Sequence, residues 1–417
     1  MSNVLLEQAC PAAHGRDSLR AVQAIRFATQ TGKTCRGIGG LLLLTVVSMP
    51  TALSAVTTEQ RNAADAYLNA LLDEQRTPGL QYIFADADQL LFRFNGGYAD
   101  LKRKVPVRAD TTFNGYSITK TFTAAAIVKL AIEGKVDLDA PIAIYIDDFP
   151  YEQSPTVRQT LQHTGGFPNP NPMPWIHLAE EHESFDRSAF VHELTHEHAE
   201  LGSEPGEKFA YSNIGYLMLG EVVRRASGVP YDEYVMTEIV GPLSLAADQR
   251  ISFVIERPEA HAHGYIRKWS WLNLALGWFI DRDTFLEPAV DGWTQFRNVL
   301  VNGEPYGGLV GTASGFVRYL QAALKAERPF SRPMLDLMWE AGESGSGESG
   351  GMGLGWRYGK LDGERYFGHT GGGGGYYCEI RVYPDVDRLS VIMTNNTGIS
   401  SQHYLDDIDR FFLDGSD

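Results

Sequence analysis

The chain has 417 residues, 43% of them hydrophobic and 21% charged, with a net charge of −16. Such a chain is long enough to bury a large core and to hold a catalytic domain with an insertion. The first 55 residues hold five basic side chains against two acidic ones, which leaves the body at −19 and disfavours nucleic acid and anionic lipid as partners.

The leader runs from a basic segment into an apolar stretch, GIGGLLLLTVVSMPTALSA over residues 37–55. Basic residues, then an apolar run, then small residues at a cleavage spacing is the order of an export signal. The expected locations are therefore periplasmic or secreted, with an uncleaved membrane anchor as the alternative. Of three cysteines, Cys10 and Cys35 lie in this leader. Cys378 is left alone in the body, which excludes an internal disulfide and a cysteine-held zinc there.

A first helix is predicted over about 58–75, with Thr57 and Gln60 as a capping box. Strands follow near 80–86 and 89–95, turned by Asp86-Ala87-Asp88. A helix from about Ser117 to Glu133 is apolar nearly all round, so it belongs inside the protein. Residues 140–300 read as helical and irregular, with helices near 157–163, 187–199 and 214–227 and no clear run of alternating strands. Strand signals return at 364–368, 376–383 and 389–395, before a closing helix at 402–413. Residues 342–353 read as a Gly/Ser/Glu loop. Strands at both ends with helices between them predict an α+β fold, an antiparallel β-sheet flanked by helices plus a mostly helical second lobe. The expected organisation is a leader over 1–55 and one domain over 56–417. Its sheet lobe takes about 56–140 and 300–417, and its helical lobe about 141–299.

Three segments carry candidate chemistry. Ser117-Ile118-Thr119-Lys120 opens the buried helix, where positions i and i+3 share a face, so hydroxyl and amine can meet. A serine needs a neighbour that accepts its proton, and a lysine can do so when burial lowers its pKa. The helix start also offers a backbone N–H to a developing oxyanion. Tyr211-Ser212-Asn213 supplies a phenol able to relay a proton and an amide able to hold a carbonyl or orient the lysine. His369-Thr370-Gly371 opens a strand running into Gly372–Gly375, where glycines permit close backbone approach.

In this order the three segments resemble the active-site set of the penicillin-recognising serine hydrolases, S-x-x-K, Y-x-N and H-T-G. The match resembles most the branch of class C β-lactamases, D-alanyl-D-alanine carboxypeptidases, D-aminopeptidases and β-lactamase-like esterases. Leu161 to Gly166, Gly241-Pro242-Leu243, Gly307-Gly308-Leu309 and Gly353 to Trp356 are further landmarks, and the resemblance spans about 58–413. It implies that Ser117 is acylated and that Lys120 and Tyr211 share the proton traffic. It places Asn213 on the substrate amide, His369, Thr370 and Gly371 along the substrate, and the N–H groups of Ser117 and Gly372 in an oxyanion hole. It implies a small-molecule or peptide substrate and no metal or organic cofactor. His369 stands where β-lactamases carry lysine, which favours a carboxypeptidase-like or esterase-like activity over a β-lactamase.

Two alternatives remain at this level. His192-Glu193-Leu194-Thr195-His196 fits the H-E-x-x-H pattern of zinc metallopeptidases, although no third ligand stands at a known spacing. The same fold can also serve as a sensor that is acylated without turnover. Gly347 to Gly351 fits G-x-S-x-G but lacks the strand before and helix after that a nucleophile elbow requires.

Overall fold

The computed structural model describes residues 56–340, 351–397 and 404–413, all within the unit Ser54–Asp417. The export leader, most of the 342–353 loop and the G-x-S-x-G segment apart from Gly351 lie outside the described residues.

Helix α1 (Thr58–Asp73) starts at the predicted capping box. Thr57 Oγ1 accepts from the Gln60 N–H at 3.2 Å, and Gln60 Oε1 accepts from the Thr57 N–H at 2.9 Å. Strands β1 (Gly79–Ala85), β2 (Leu90–Asp100) and β3 (Val105–Pro106) come from the N-terminal part. Asp86 Oδ1 accepts the N–H groups of Asp88 and Gln89, both at 2.8 Å, and so turns the first hairpin. Strands β4 (Gly351–Met352), β5 (Arg357–Leu361), β6 (Glu364–Gly373), β7 (Tyr376–Tyr383) and β8 (Arg388–Thr394) come from the C-terminal part. The eight form one antiparallel sheet in the order β4-β5-β6-β7-β8-β1-β2-β3. Its centre pairs the two ends of the chain, with Tyr82 opposite both Ile392 and Phe94.

Alternation along the strands gives each face its own core. Tyr82, Phe84 and Ile392 pack with Leu68 and Leu71 of α1 and with Leu405, Ile408 and Phe412 of the closing helices. Ile83, Val391, Met393, Cys378 and Ile380 face the larger core, which holds α2 (Thr119–Ile132). In α2 every residue from Thr119 to Val128 is buried. Phe122 stacks on Tyr319 with ring centroids 3.8 Å apart. Each fully buried large apolar side chain contributes about 1.5–3 kcal/mol, and the same packing carries Lys120 inside.

The segment between the two sheet-forming parts contains the expected helices, with α3 at Arg187–Glu197 and α4 at Asn213–Ser227. It also contains strands that the sequence pattern did not reveal. Tyr265–Arg267, Trp293–Phe296 and Leu286–Val290 form a three-stranded sheet, and Ile176–Leu178 pairs with Val299–Val301. These strands have three to five residues, too few for alternation to stand out from an apolar loop. They support a small separate core, Ile266, Leu276, Ile280, Leu286 and Phe296. Among the described residues no helix is long and apolar enough to cross a membrane.

Candidate active site

Ser117 sits in a turn of 3-10 helix (Tyr116–Ile118) that runs into α2. Tyr116 has φ +45°, a left-handed conformation unusual for a bulky residue. The neighbouring backbone holds it there: the Gly115 N–H donates to Leu309 O at 2.7 Å, and Thr119 Oγ1 donates to Tyr116 O at 2.7 Å.

One helical turn on, Lys120 has 0% of its surface exposed. Its Nζ lies 3.2 Å from Ser117 Oγ, 2.9 Å from Asn213 Oδ1 and 2.8 Å from Tyr306 O. Among the described residues no carboxylate pairs with it. Burial pushes its pKa well below the ordinary lysine value, and the nearby Arg357 guanidinium pushes the same way. The rings of Tyr211, Tyr216 and Tyr306 lie 4.9–5.4 Å from Nζ and favour the cation. Such contacts are worth up to about 2 kcal/mol each, against several kcal/mol for desolvating an ammonium, so the neutral amine is favoured. A neutral amine has two protons and one lone pair. Asn213 Oδ1 and Tyr306 O are obligate acceptors and take the two protons, so the lone pair is left for the Ser117 hydroxyl.

Tyr211 Oη donates to Ser117 Oγ at 2.9 Å. Burial raises its pKa to about 12, so it keeps its proton at neutral pH. Asn213 is the first residue of α4, whose N-cap Ser212 accepts from the Gly215 N–H at 3.1 Å. Ser212 is in turn held by Pro168 O and by His163 Nδ1, which accepts the Ser212 N–H at 3.1 Å. The His163 ring lies 4.3 Å from that of Tyr211. His163 therefore buttresses the Tyr211–Asn213 segment, a role its sequence context does not signal.

Strand β6 passes directly beside the serine. A methyl group on Gly371 would meet Gly115 O at 2.2 Å and Ser117 N at 3.0 Å, so only glycine permits this approach. The Gly372 backbone, next along, lines the same cavity as Ser117 and Asn213. Gly374, with φ +42°, serves another purpose: a side chain there would strike Tyr116 Oη at 2.1 Å. His369 is buried, and its Nδ1 donates to Thr370 O at 2.7 Å. Burial, reinforced by the Arg357 guanidinium, holds its pKa well below the usual histidine value, so the ring is neutral. Its Nε2 is buried with no protein partner among the described residues. Ser117, Asn213 and Gly372 line the cavity, whereas Lys120, Tyr211, His369, Thr370 and Gly371 are not part of its lining.

The cavity over Ser117 has a volume of about 420 Å³. Its far wall is Met173, Ile176, Leu272, Leu276, Ile280 and Phe296, and no charged side chain lines it among the described residues. Arg357, opposite Gly368 in β5, does not line the cavity but lowers the pKa values of Lys120, Tyr211 and His369; its guanidinium lies 6.0 Å from the Tyr211 ring. The H-E-x-x-H residues lie on α3, where His192, Glu193 and His196 are exposed. None of them lines the cavity.

An antiparallel sheet flanked by helices, with a buried lysine and a tyrosine converging on a serine at a helix start, defines the penicillin-recognising serine hydrolases, a class of hydrolytic enzymes. The Beta-lactamase family model matches residues 64–411, and the chain belongs to that family. Penicillin-binding protein 4* of Bacillus subtilis (strain 168) is 25% identical over 317 residues, covering 75% of this chain and 66% of that protein. Protein flp of Staphylococcus aureus is 25% identical over 197 residues, covering 46% of this chain and 38% of its own length. The chain thus spans less than two thirds of these relatives. Among solved structures, EstCE1, a hydrolase with promiscuous acyltransferase activity, is similar at TM-score 0.68 and 19% identity, covering 85% of this chain and 98% of that one. The D-amino acid amidase of Ochrobactrum anthropi SV3 is similar at TM-score 0.66 and 22% identity, covering 85% and 97%. At these identities the solved structures establish the fold.

Proposed function

We propose that the protein hydrolyses carboxylic esters with an apolar acyl group, through an acyl-enzyme on Ser117. The observation that carries this is the pairing of the Ser117–Lys120–Tyr211 triad with a cavity that offers no charge. A substrate carboxylate finds no cation in the lining, and an α-ammonium finds no anion, whereas the aliphatic wall matches an acyl chain.

In the proposed reaction Lys120 Nζ takes the Ser117 proton as Oγ bonds to the carbonyl carbon. The N–H groups of Ser117 and Gly372 hold the oxyanion. Collapse breaks the bond to the alcohol, which leaves with a proton from Tyr211 Oη, itself reprotonated from Lys120. Water then attacks the acyl-enzyme with Lys120 as base, and the acid is released as Lys120 returns that proton to Ser117 Oγ. His369, held neutral by burial, has its ring 6.4 Å from that of Tyr211 and serves as a positioning residue. The export leader supports a periplasmic or secreted site of action.

A carboxypeptidase-like activity is the second reading, favoured by Arg357 as a cation near Tyr211. A fluorophosphonate probe with peptide mapping tests the nucleophile, and label on any peptide lacking Ser117 would sink the proposal. Rates on p-nitrophenyl esters from acetate to octanoate, on D-alanyl-D-alanine peptides and on a chromogenic β-lactam test the substrate class. Esters are expected to lead, and turnover of D-peptides alone would favour the second reading. Labelling of Ser117 with no turnover of any substrate would favour the sensor.

A further inference from the structure

The segment 268–280 is apolar on two sides. Leu272, Leu276 and Ile280 recur every four residues and form cavity wall over Ser117. Facing away from them are Trp269, Trp271, Leu274 and Trp278, exposed by 82%, 65%, 67% and 75%. With Phe279, this short stretch holds five of the eleven exposed large hydrophobics among the described residues. It also holds three of the chain's seven tryptophans. A patch so concentrated calls for a contact. Trp271 and Trp278 meet edge to face at 6.1 Å, and Lys268 Nζ lies 5.2 Å from the Trp269 ring.

We propose that this patch seats the enzyme on a zwitterionic or uncharged lipid surface, from which an acyl ester passes under the 268–280 segment into the cavity. Indole rings with a basic neighbour suit the headgroup region, where an apolar body and a polar edge are both satisfied. The net charge of −16 disfavours an anionic surface. Continuity identifies the occupant: the segment whose outer face meets the surface is the one whose inner face receives the chain, so an insoluble substrate need not cross water. The substrate half rests on the proposed esterase activity, and the docking half does not.

The test compares wild type with the triple variant Trp269→Ser/Trp271→Ser/Trp278→Ser. Flotation with phosphatidylcholine vesicles reads docking; tributyrin emulsion and soluble p-nitrophenyl acetate read turnover. Wild type is expected to float with vesicles. The variant should lose vesicle binding and emulsion turnover by at least about tenfold, while keeping kcat/KM on the soluble ester within about twofold. Absence of wild-type flotation, or equal emulsion rates, overturns the proposal. So does a wild-type dimer in sedimentation that the variant breaks, because a second copy would then be the occupant. If wild type floats but cleaves neither ester, the esterase reading fails and the docking stands.

A second, independent cluster lies on the surface of α3. His192 Nε2 and His196 Nε2 each lie 3.2 Å from the same oxygen, Asp148 Oδ2, and the two rings stack at 4.0 Å. His196 Nδ1 lies 2.8 Å from the carbonyl of His192, which can only accept, so Nδ1 carries the proton. The ligand atoms of His192, His196 and Asp148 all lie within 4.8 Å of one another, close enough to share one ion. Two ligand atoms about 2.1 Å from one ion at a tetrahedral angle are about 3.4 Å apart, close to the separations seen. We infer that His192, His196 and Asp148 hold a divalent transition metal of the zinc type, pinning α3 to the 147–149 segment without entering the hydrolytic site.

Chelator-treated wild type and His192→Ala/His196→Ala are to be titrated with Zn²⁺ by calorimetry and melted with and without it. One ion per wild-type chain and a Tm rise of about 2–4 °C are expected, both absent in the variant. No binding to wild type, or equal binding to the variant, overturns the site. Loss of ester hydrolysis on chelation overturns its separation from the chemistry.

Discussion

Asn213 Oδ1 lies 2.9 Å from Lys120 Nζ, although the two residues stand 93 positions apart. A neutral acceptor there consumes one amine proton without favouring the ammonium strongly, and so helps direct the lone pair to Ser117. Asn213→Asp keeps the shape and adds a charge. The new carboxylate should hold Lys120 as the ammonium. We expect ester hydrolysis at pH 7 to fall by about 10²-fold or more, with recovery as pH rises. A pH–rate profile checks this, and a parallel fall at every pH would point to a merely structural role.

Arg357 and Lys120 repel, and removing one should release the other. Arg357→Gln takes away a cation that lowers the Lys120 pKa. The acid limb of kcat/KM reports the loss of neutral Lys120 as pH falls. With the cation gone, the amine holds its proton to higher pH, so that limb should move upward. Tyr211, at about 12, should contribute no limb below pH 10. An acid limb that stays in place in the variant would remove Lys120 as its source.

Gly371→Ala inserts a methyl group into the contact between β6 and the Ser117 turn, 2.2 Å from Gly115 O and 2.7 Å from Cys378 Sγ. The strand must move outward and take the Gly372 N–H with it. A shift near 1 Å at the reacting centre costs about 10²-fold in rate. We expect kcat to fall by that order while cooperative unfolding is retained, measured by steady-state kinetics and by urea titration.

Asp409 tests the fold away from the cavity. It is fully buried and accepts from Tyr82 at 2.8 Å, Tyr383 at 2.6 Å and Ser390 at 2.6 Å. Burial raises its pKa from 3.8 to about 6 despite Arg381 and the three hydroxyls. The folded state therefore holds a proton that the unfolded state has released, so stability from this group is full below pH 4 and falls as pH rises through 6. Asp409→Asn stays neutral. Between pH 4 and 7 its stability should improve relative to wild type by about 3 kcal/mol, read from urea midpoints at each pH.

Much of this protein is carried by local pattern. The capping box at Thr57, the all-apolar α2 and the strands at both ends follow from side-chain periodicity and turn chemistry, which act over a few residues. The juxtaposition of Ser117 and Lys120 follows too, because one helical turn sets it. Other features depend on contacts between distant segments, which local periodicity does not report. The Tyr306 carbonyl reaches Lys120 across 186 positions. His163 supports the Tyr211 segment by accepting the N–H groups of Ala210 and Ser212 on either side of it, and Arg357 reaches the site from a neighbouring strand. The glycine run reads as room for substrate, yet Gly374 makes room for Tyr116. The cavity wall is built from strands of three to five residues and a short helical segment whose two apolar faces look alike in sequence. Only the fold decides which of those faces turns toward the serine and which toward solvent, because that depends on the small core of Ile266, Leu286 and Phe296 on which the segment is seated.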